Sequence, residues 1–360
     1  MDIIITAPSL DPEQNVSGVS SVVKFIIDNN KEHHYIHFEL GKKDRERGGV
    51  FRLFPLLKAL RQWRHLLKQT PKALVHYSFP LSAASVIRDP LFMWMVKRQG
   101  MNMIVHVHGG LYLTADNIPW LQRCILKKVF SMPVPFVALS NTEVDTIKDK
   151  FGAKDVSSLP NCIELKEAKE FHRGEKQGIL HIGYLGRIAK TKGMDDLLEA
   201  CRKLKEEDID FVLDIAGKEE NEGEYIPQFK TLLGNSFHYA GIVAGQSKSD
   251  FLKSIDIFAL PSHFEGLPMS LLESMSYGIV PITTPVGSIP HYVADGVNGL
   301  FMKKEDAESL YRQIKRLNED RKVLYEMSIK AKETIFNNFS PDLYVKKLNE
   351  LYKDVAEKGI

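Results

Sequence analysis

The stretch from Ala259 to Leu300 constrains this chain most, because it dictates where a strand must hand over to a helix. Ile255 to Leu260 is a short apolar run of the kind that forms a buried strand, and Pro261 ends it. The loop that follows closes on Glu265-Gly266-Leu267-Pro268. Met269 to Tyr277 then reads as a helix, with Pro268 suited to its first turn and Gly278 to its end. In parallel α/β sheets such a junction is where ligands bind, and the amides and dipole of a helix start favour an anion such as a diphosphate. Glu265 and Glu273, in E-x7-E spacing, flank those amides. They are poor partners for a second anion and good acceptors for sugar hydroxyls.

Two earlier stretches repeat the strand–loop–helix theme. Ile3 to Ala7 is a strand, Pro8 to Ser17 a polar loop, and Gly18 opens a helix to about Asn29 with Val19, Val22, Val23, Phe25 and Ile26 on its apolar face. The loop lacks G-x-G-x-x-G, which argues against a dinucleotide site, and Gly18 reads as a tight turn. Ile179 to Leu185 is followed by Gly186-Arg187-Ile188-Ala189-Lys190-Thr191-Lys192-Gly193 and a helix to about Lys205; the order is not that of a P-loop. A further strand, Met101 to Val107, ends in His106-Val107-His108-Gly109-Gly110. Its two histidines point the same way, but no nearby Asp, Glu or Cys completes a metal set.

Glu265-Gly266-Leu267-Pro268, the second acid Glu273, the Gly278-x-x-Pro281 step and the Val286-Gly287-Ser288-x-Pro290 turn together resemble the signature of retaining GT-B glycosyltransferases of the family-four type, the glycosyl transferases group 1. The resemblance implies an α/β protein of two Rossmann-like domains whose parallel sheets face across a cleft. Residues 1–165 would bind the acceptor and 166–340 the nucleotide sugar, while 341–360 would form a helix crossing back to the first domain. It implies that Glu273 holds the ribose, that Glu265 touches the donor sugar, and that Gly266, Leu267 and Pro268 line the donor site. Gly186-Arg187 and Lys192-Gly193 match the family's cationic pattern, so Arg187 and Lys192 would bind the diphosphate and support its departure. His108 would hydrogen-bond the donor sugar, and the loop at Gly18 would lie near phosphates and acceptor. Pro160-Asn161-Cys162 departs from the family's Pro-Asn-Gly before the linker, which the charged segment Glu164 to Gln177 would supply.

Length and composition agree. At 360 residues two domains are the default, and 44% apolar with 26% charged residues is the balance of a soluble globular protein. A net charge of +2 gives no reason to expect a nucleic-acid partner. No apolar run reaches about 18 residues, and the acidic start Met1-Asp2 is unlike a signal peptide, so the expected location is cytoplasmic. Cys124, Cys162 and Cys201 match no zinc spacing and read as reduced structural residues.

Phe51 to Lys68 reads as a helix with Leu53, Leu56, Leu57, Leu60, Trp63 and Leu67 on one side and Arg52, Lys58, Arg61, Arg64 and Lys68 among the rest. This pattern describes a helix packed on a sheet; it also describes one lying on the anionic inner face of a plasma membrane, with Trp63 at the interface.

The expected activity is that of a retaining hexosyltransferase. It would move a sugar from a nucleotide-diphosphate sugar to a glycan or lipid-linked glycan in bacterial polysaccharide synthesis. No cofactor and no divalent metal is expected, since side-chain cations neutralise the diphosphate. A sugar-nucleotide epimerase of the same fold would instead need acid and base residues in the cleft, and a non-catalytic nucleotide-sugar-binding protein would have lost Arg187, Lys192 or an acid.

Overall fold

A computed structural model of the chain describes residues 1–15, 17–41, 53–115, 117–175 and 177–358. It forms two compact units, one made of Met1–Asn161 with Pro341–Ile360 and the other of Cys162–Ser340.

Each unit is a six-stranded, all-parallel sheet with helical crossovers. The first unit contains β1 (Asp2–Ala7), α1 (Gly18–Asn29), β2 (His34–Glu39), α2 (Leu53–Gln69), β3 (Leu74–Phe79), α3 (Ala83–Arg98) and β4 (Met103–Val107). It continues with α4 (Leu111–Thr114), α5 (Trp120–Phe130), β5 (Phe136–Ala138), α6 (Asn141–Phe151) and β6 (Val156–Ser158). The second contains α7 (Lys166–Glu170), β7 (Leu180–Leu185), α8 (Met194–Glu206), β8 (Phe211–Ala216), α9 (Ile226–Leu233), β9 (Phe237–Gly241) and α10 (Gly245–Ser254). Then come β10 (Ile257–Leu260), α11 (Met269–Ser276), β11 (Val280–Thr283), β12 (Leu300–Phe301), α12 (Ala307–Glu319) and α13 (Arg321–Asn338). The last helix, α14 (Pro341–Lys358), belongs to the first unit, where Tyr344 packs edge-on against Phe25 of α1.

The sheet orders are β2-β1-β3-β4-β5-β6 and β12-β11-β10-β7-β8-β9. Each order reverses once, between β1 and β3 in the first unit and between β7 and β10 in the second. Loops leaving the C-terminal ends of strands at such a reversal diverge to opposite faces and leave a crevice, the usual ligand position in an open α/β sheet. The second-unit loops concerned are those carrying Arg187, Lys192 and Glu265.

Packing settles one strand and corrects three expectations. Val280–Thr283 is a buried strand, β11, with Pro281 within it. It is tolerated because β12 pairs only with Ile282 and Thr283, so no strand stands beside the missing Pro281 amide on that side. The expected linker is also more than a charged connector. Arg173 is buried, with its guanidinium 3.0 Å from Asp256 and within bonding distance of the Leu252 and Tyr277 carbonyls, which ties the segment to the second sheet.

The second correction concerns the basic helix, whose first two expected residues, Phe51 and Arg52, lie outside the described residues. Trp63 is not at an interface: it is wholly buried, donating from Nε1 to the Phe92 carbonyl at 3.1 Å, with its ring 4.7 Å from that of Phe38. Leu57, expected on the same apolar side, faces outward instead. Finally, Gly18 needs no turn conformation. It is the first residue of α1, its φ is not positive, and a Cβ there would meet nothing within 4 Å.

Candidate functional site

In the second unit, β7 and β10 lie side by side and the loops that follow them are locked together. Gly193, in the left-handed region at φ 74°, starts α8; a Cβ there would stand 2.1 Å from the Pro261 carbonyl oxygen, so only glycine lets the two loops approach. The amide of His263 donates to the Thr191 carbonyl at 3.0 Å. A third segment closes the group: Ser288 donates from its amide to the Gly266 carbonyl at 2.9 Å, and a Cβ on Gly287 (φ 57°) would lie 2.2 Å from the Glu265 carbonyl oxygen.

This framework brings Lys192 and Glu265 together across 73 residues, Nζ to Oε1 at 2.7 Å, with both side chains mostly buried. Gly266, Leu267 and Pro268 run directly into α11, whose first-turn amides have no intrahelical acceptor by helix geometry. The bends 186–193 and 261–268 thus assemble a cation, a carboxylate and a helix N-terminus at the sheet reversal. Arg187 leaves the same bend but turns to Glu220, 3.6 Å away and half exposed. Tyr184, fully buried beneath the bend, donates its hydroxyl to the Arg187 carbonyl at 2.5 Å, which fixes the backbone from which that side chain projects. Gly186 packs against the next loop, since a Cβ on Gly217 would meet the Gly186 carbonyl oxygen.

Glu273 stands one turn along α11, largely buried, and its Oε1 accepts from Lys248 Nζ of α10 at 2.6 Å. The neighbouring carboxylate holds the Lys248 ammonium above its ordinary pKa. Lys248 was not among the residues picked out from the sequence. A lone lysine in a polar helix start carries no signal there, and only the packing of α10 beside α11 makes it a partner.

The first unit holds Gly18 and His108. Ser17 caps α1, its hydroxyl accepting from the Ser20 amide at 3.3 Å. His108 follows β4, and its ring stacks on that of His106 with centroids 4.2 Å apart. His76 of β3 joins them: its Nε2 is 3.1 Å from His106 Nδ1, and its Nδ1 is 2.6 Å from the hydroxyl of Tyr352 on α14. Burial pushes all three imidazoles toward the neutral form, His106 down to about 4 and the other two well below their ordinary value. The Nε2 atoms of His106 and His108 are buried without a hydrogen-bond partner. A neutral His108 can offer a hydroxyl ligand either a donor or an acceptor at that atom. Among the described residues, no group of three or more His, Cys, Asp or Glu side chains is arranged to hold a metal ion.

Comparison with known proteins bears on both units. Residues 166–334 match the family model described as "Glycosyl transferases group 1". An uncharacterized glycosyltransferase of Methanocaldococcus jannaschii is 24% identical over 272 residues, covering 69% of this chain and 68% of that protein. The UDP-Gal:alpha-D-GlcNAc-diphosphoundecaprenol alpha-1,3-galactosyltransferase of Escherichia coli is 26% identical over 212 residues, 56% of this chain and 54% of the relative. For most of the relatives first matched, the alignment spans about half of their length. Among solved structures, the sucrose-phosphate synthase of Thermosynechococcus elongatus superposes over 98% of both chains with a TM-score of 0.79 at 14% identity, which establishes the GT-B fold.

Proposed function

We propose, for a chain whose residues 166–334 belong to the glycosyl transferases group 1, that it is a retaining glycosyltransferase moving a hexose from a nucleoside-diphosphate sugar to a lipid-linked glycan, in bacterial polysaccharide synthesis at the inner face of the plasma membrane. The observation that carries the reading is the pairing of Lys192 with Glu265 beside the start of α11, at the reversal of the second sheet. The diphosphate oxygens meet Lys192, Arg187 and the amides from Gly266 onward. The ribose hydroxyls meet Glu273, and the donor hexose meets Glu265. The donor and acceptor in the name of the Escherichia coli relative support the two substrate classes.

The reaction follows from these roles. The acceptor hydroxyl attacks the anomeric carbon on the face from which the diphosphate leaves. The carbon–oxygen bond to the diphosphate breaks as the new glycosidic bond forms, and a departing phosphate oxygen takes the hydroxyl proton. The protein supplies fixed positive charge where negative charge develops and holds the reacting atoms in register.

The test is incubation with a panel of nucleoside-diphosphate sugars, with and without short lipid-diphosphate glycans, followed by NMR of the product. Acceptor-dependent nucleotide release with the donor's anomeric configuration kept is the expected result. Release of nucleotide with an epimerised sugar and no acceptor, or an inverted product, would overturn it.

A further inference from the structure

The first unit carries an outer layer that the donor site does not use. Its helices α2, α3 and α5 lie side by side on one face of the sheet, with α3 touching both neighbours. Their inner faces supply Trp63, Leu67, Phe92, Met93, Leu126 and Phe130 to the core. Their outer faces are also apolar. Phe54 and Leu57 on α2, Ile87, Leu91 and Trp94 on α3, and Trp120 and Leu121 on α5 range from 51% to 82% exposed. These seven are half of the large apolar side chains exposed among the described residues. On α3 the spacing 87, 91, 94 is that of one helical stripe, so the exposure is a continuous face rather than scattered single residues.

Charge is concentrated on the same helices. They hold ten Lys and Arg and one acid, Asp89, which is buried against Arg88. The layer's net +9 contrasts with +2 for the whole chain. The cations flank the apolar stripe at helical spacing: Lys58, Arg61 and Arg64 follow Leu57, and Arg98 lies over the Trp94 ring, 5.1 Å from its centroid.

We infer that the outer face of α2, α3 and α5 is a docking surface for an anionic lipid bilayer, with Phe54, Trp94 and Trp120 entering the interface and the cations lying level with the headgroups. Large amphipathic rings and long cationic side chains are the pair of groups that such an interface accommodates together, and each cation near it adds to the attraction. A second copy of this chain would set the same positive field against itself. A nucleic acid would satisfy the cations and leave Leu57, Ile87, Leu91 and Leu121 without an apolar partner. The inference extends the proposed lipid-linked acceptor, but its test uses neither donor nor acceptor, so the two readings fail separately.

The test is co-sedimentation of the full chain with vesicles of phosphatidylcholine alone or mixed with phosphatidylglycerol, across a salt series. Binding is expected only to the mixed vesicles and is expected to fall with salt. The Trp94→Ser/Trp120→Ser pair and the Arg61→Glu/Arg64→Glu pair should each weaken it by about tenfold or more, while Lys322→Glu on α13 leaves it unchanged. All five positions are exposed, and circular dichroism checks that each variant is folded. In variants that keep only Trp94 or only Trp120 of these two and carry Trp63→Phe, emission should shift to shorter wavelength on binding. Equal binding to neutral vesicles, no binding to the mixed ones at low salt, or unshifted emission would overturn the inference. So would a dimer in solution that the Trp94→Ser/Trp120→Ser pair abolishes, since a second copy would then cover the face.

Discussion

Replacing Glu273 with Ala separates the ion pair that this side chain makes from the ribose contact proposed for it. Its Oε1 holds Lys248 at 2.6 Å, in a pair whose side chains are 17% and 34% exposed. Solvent screening at the lysine limits the stability lost with that pair to about 1 kcal/mol. The proposed contact, accepting ribose hydroxyls with a charged group, is worth about 1.5–3 kcal/mol, so nucleotide affinity should fall by roughly tenfold to a hundredfold. Lys248→Met removes the same ion pair and leaves the acid in place. It should cost similar stability and far less affinity. Calorimetric titration with nucleoside diphosphates, alongside thermal unfolding of both variants, reads the two quantities independently. A folded Glu273→Ala protein with unchanged affinity would remove Glu273 from the donor site. If Lys248→Met lost as much affinity as Glu273→Ala, the ion pair itself, and not a ribose contact, would account for the effect.

Arg187→Ala and Lys192→Ala should each lower kcat at saturating donor by far more than they lower the melting temperature, because the proposed mechanism sets their charge against the leaving diphosphate; near-normal turnover would refute the role of that residue. Gly287→Ala should destabilise the second unit and raise the donor KM together, since its Cβ would push on the Glu265 carbonyl from a left-handed backbone, and unaltered donor binding would show that the 265–266 loop does not shape the site. Activity should survive EDTA, and its loss with recovery on adding magnesium or manganese would contradict charge neutralisation by side chains alone. Unfolding of the first unit should become easier as pH falls from about 6.5 toward 4, because His76, His106 and His108 take up protons more readily once unfolded. For His106, at about 4 when folded, the loss approaches 3 kcal/mol. Asp89, which burial holds at about 6, works in the opposite sense over the lower part of this window. Denaturant midpoints for His76→Gln should show a shallower pH slope than those for the parent chain.

Much of the molecule is readable from local pattern. Period-3.6 apolar spacing after Gly18 locates α1, and the E-x7-E junction with Gly186-Arg187 and Lys192-Gly193 marks the strand ends where the candidate donor site lies. Such signals need only a few neighbouring residues, because backbone propensity and one apolar face decide them. What the chain order does not carry is which strand stands beside which, and hence which side chains meet. Lys192 reaches Glu265 only because β7 and β10 are adjacent at the reversal of the sheet, and Lys248 reaches Glu273 only because α10 packs beside α11. His76, Tyr352 and His106 come from three elements as much as 276 residues apart, and nothing local distinguishes His76 from any histidine in a strand. Pro281 is unreadable for the same reason, since its cost depends on whether a neighbouring strand asks for its missing amide. On α2 the pattern identifies an amphipathic helix with Trp63 on its apolar side, but not what that side packs against. That was decided by Phe38 and Phe92 closing over the indole, which left Phe54 to solvent, because a helical stripe gains its stability only from the surface that tertiary packing sets against it.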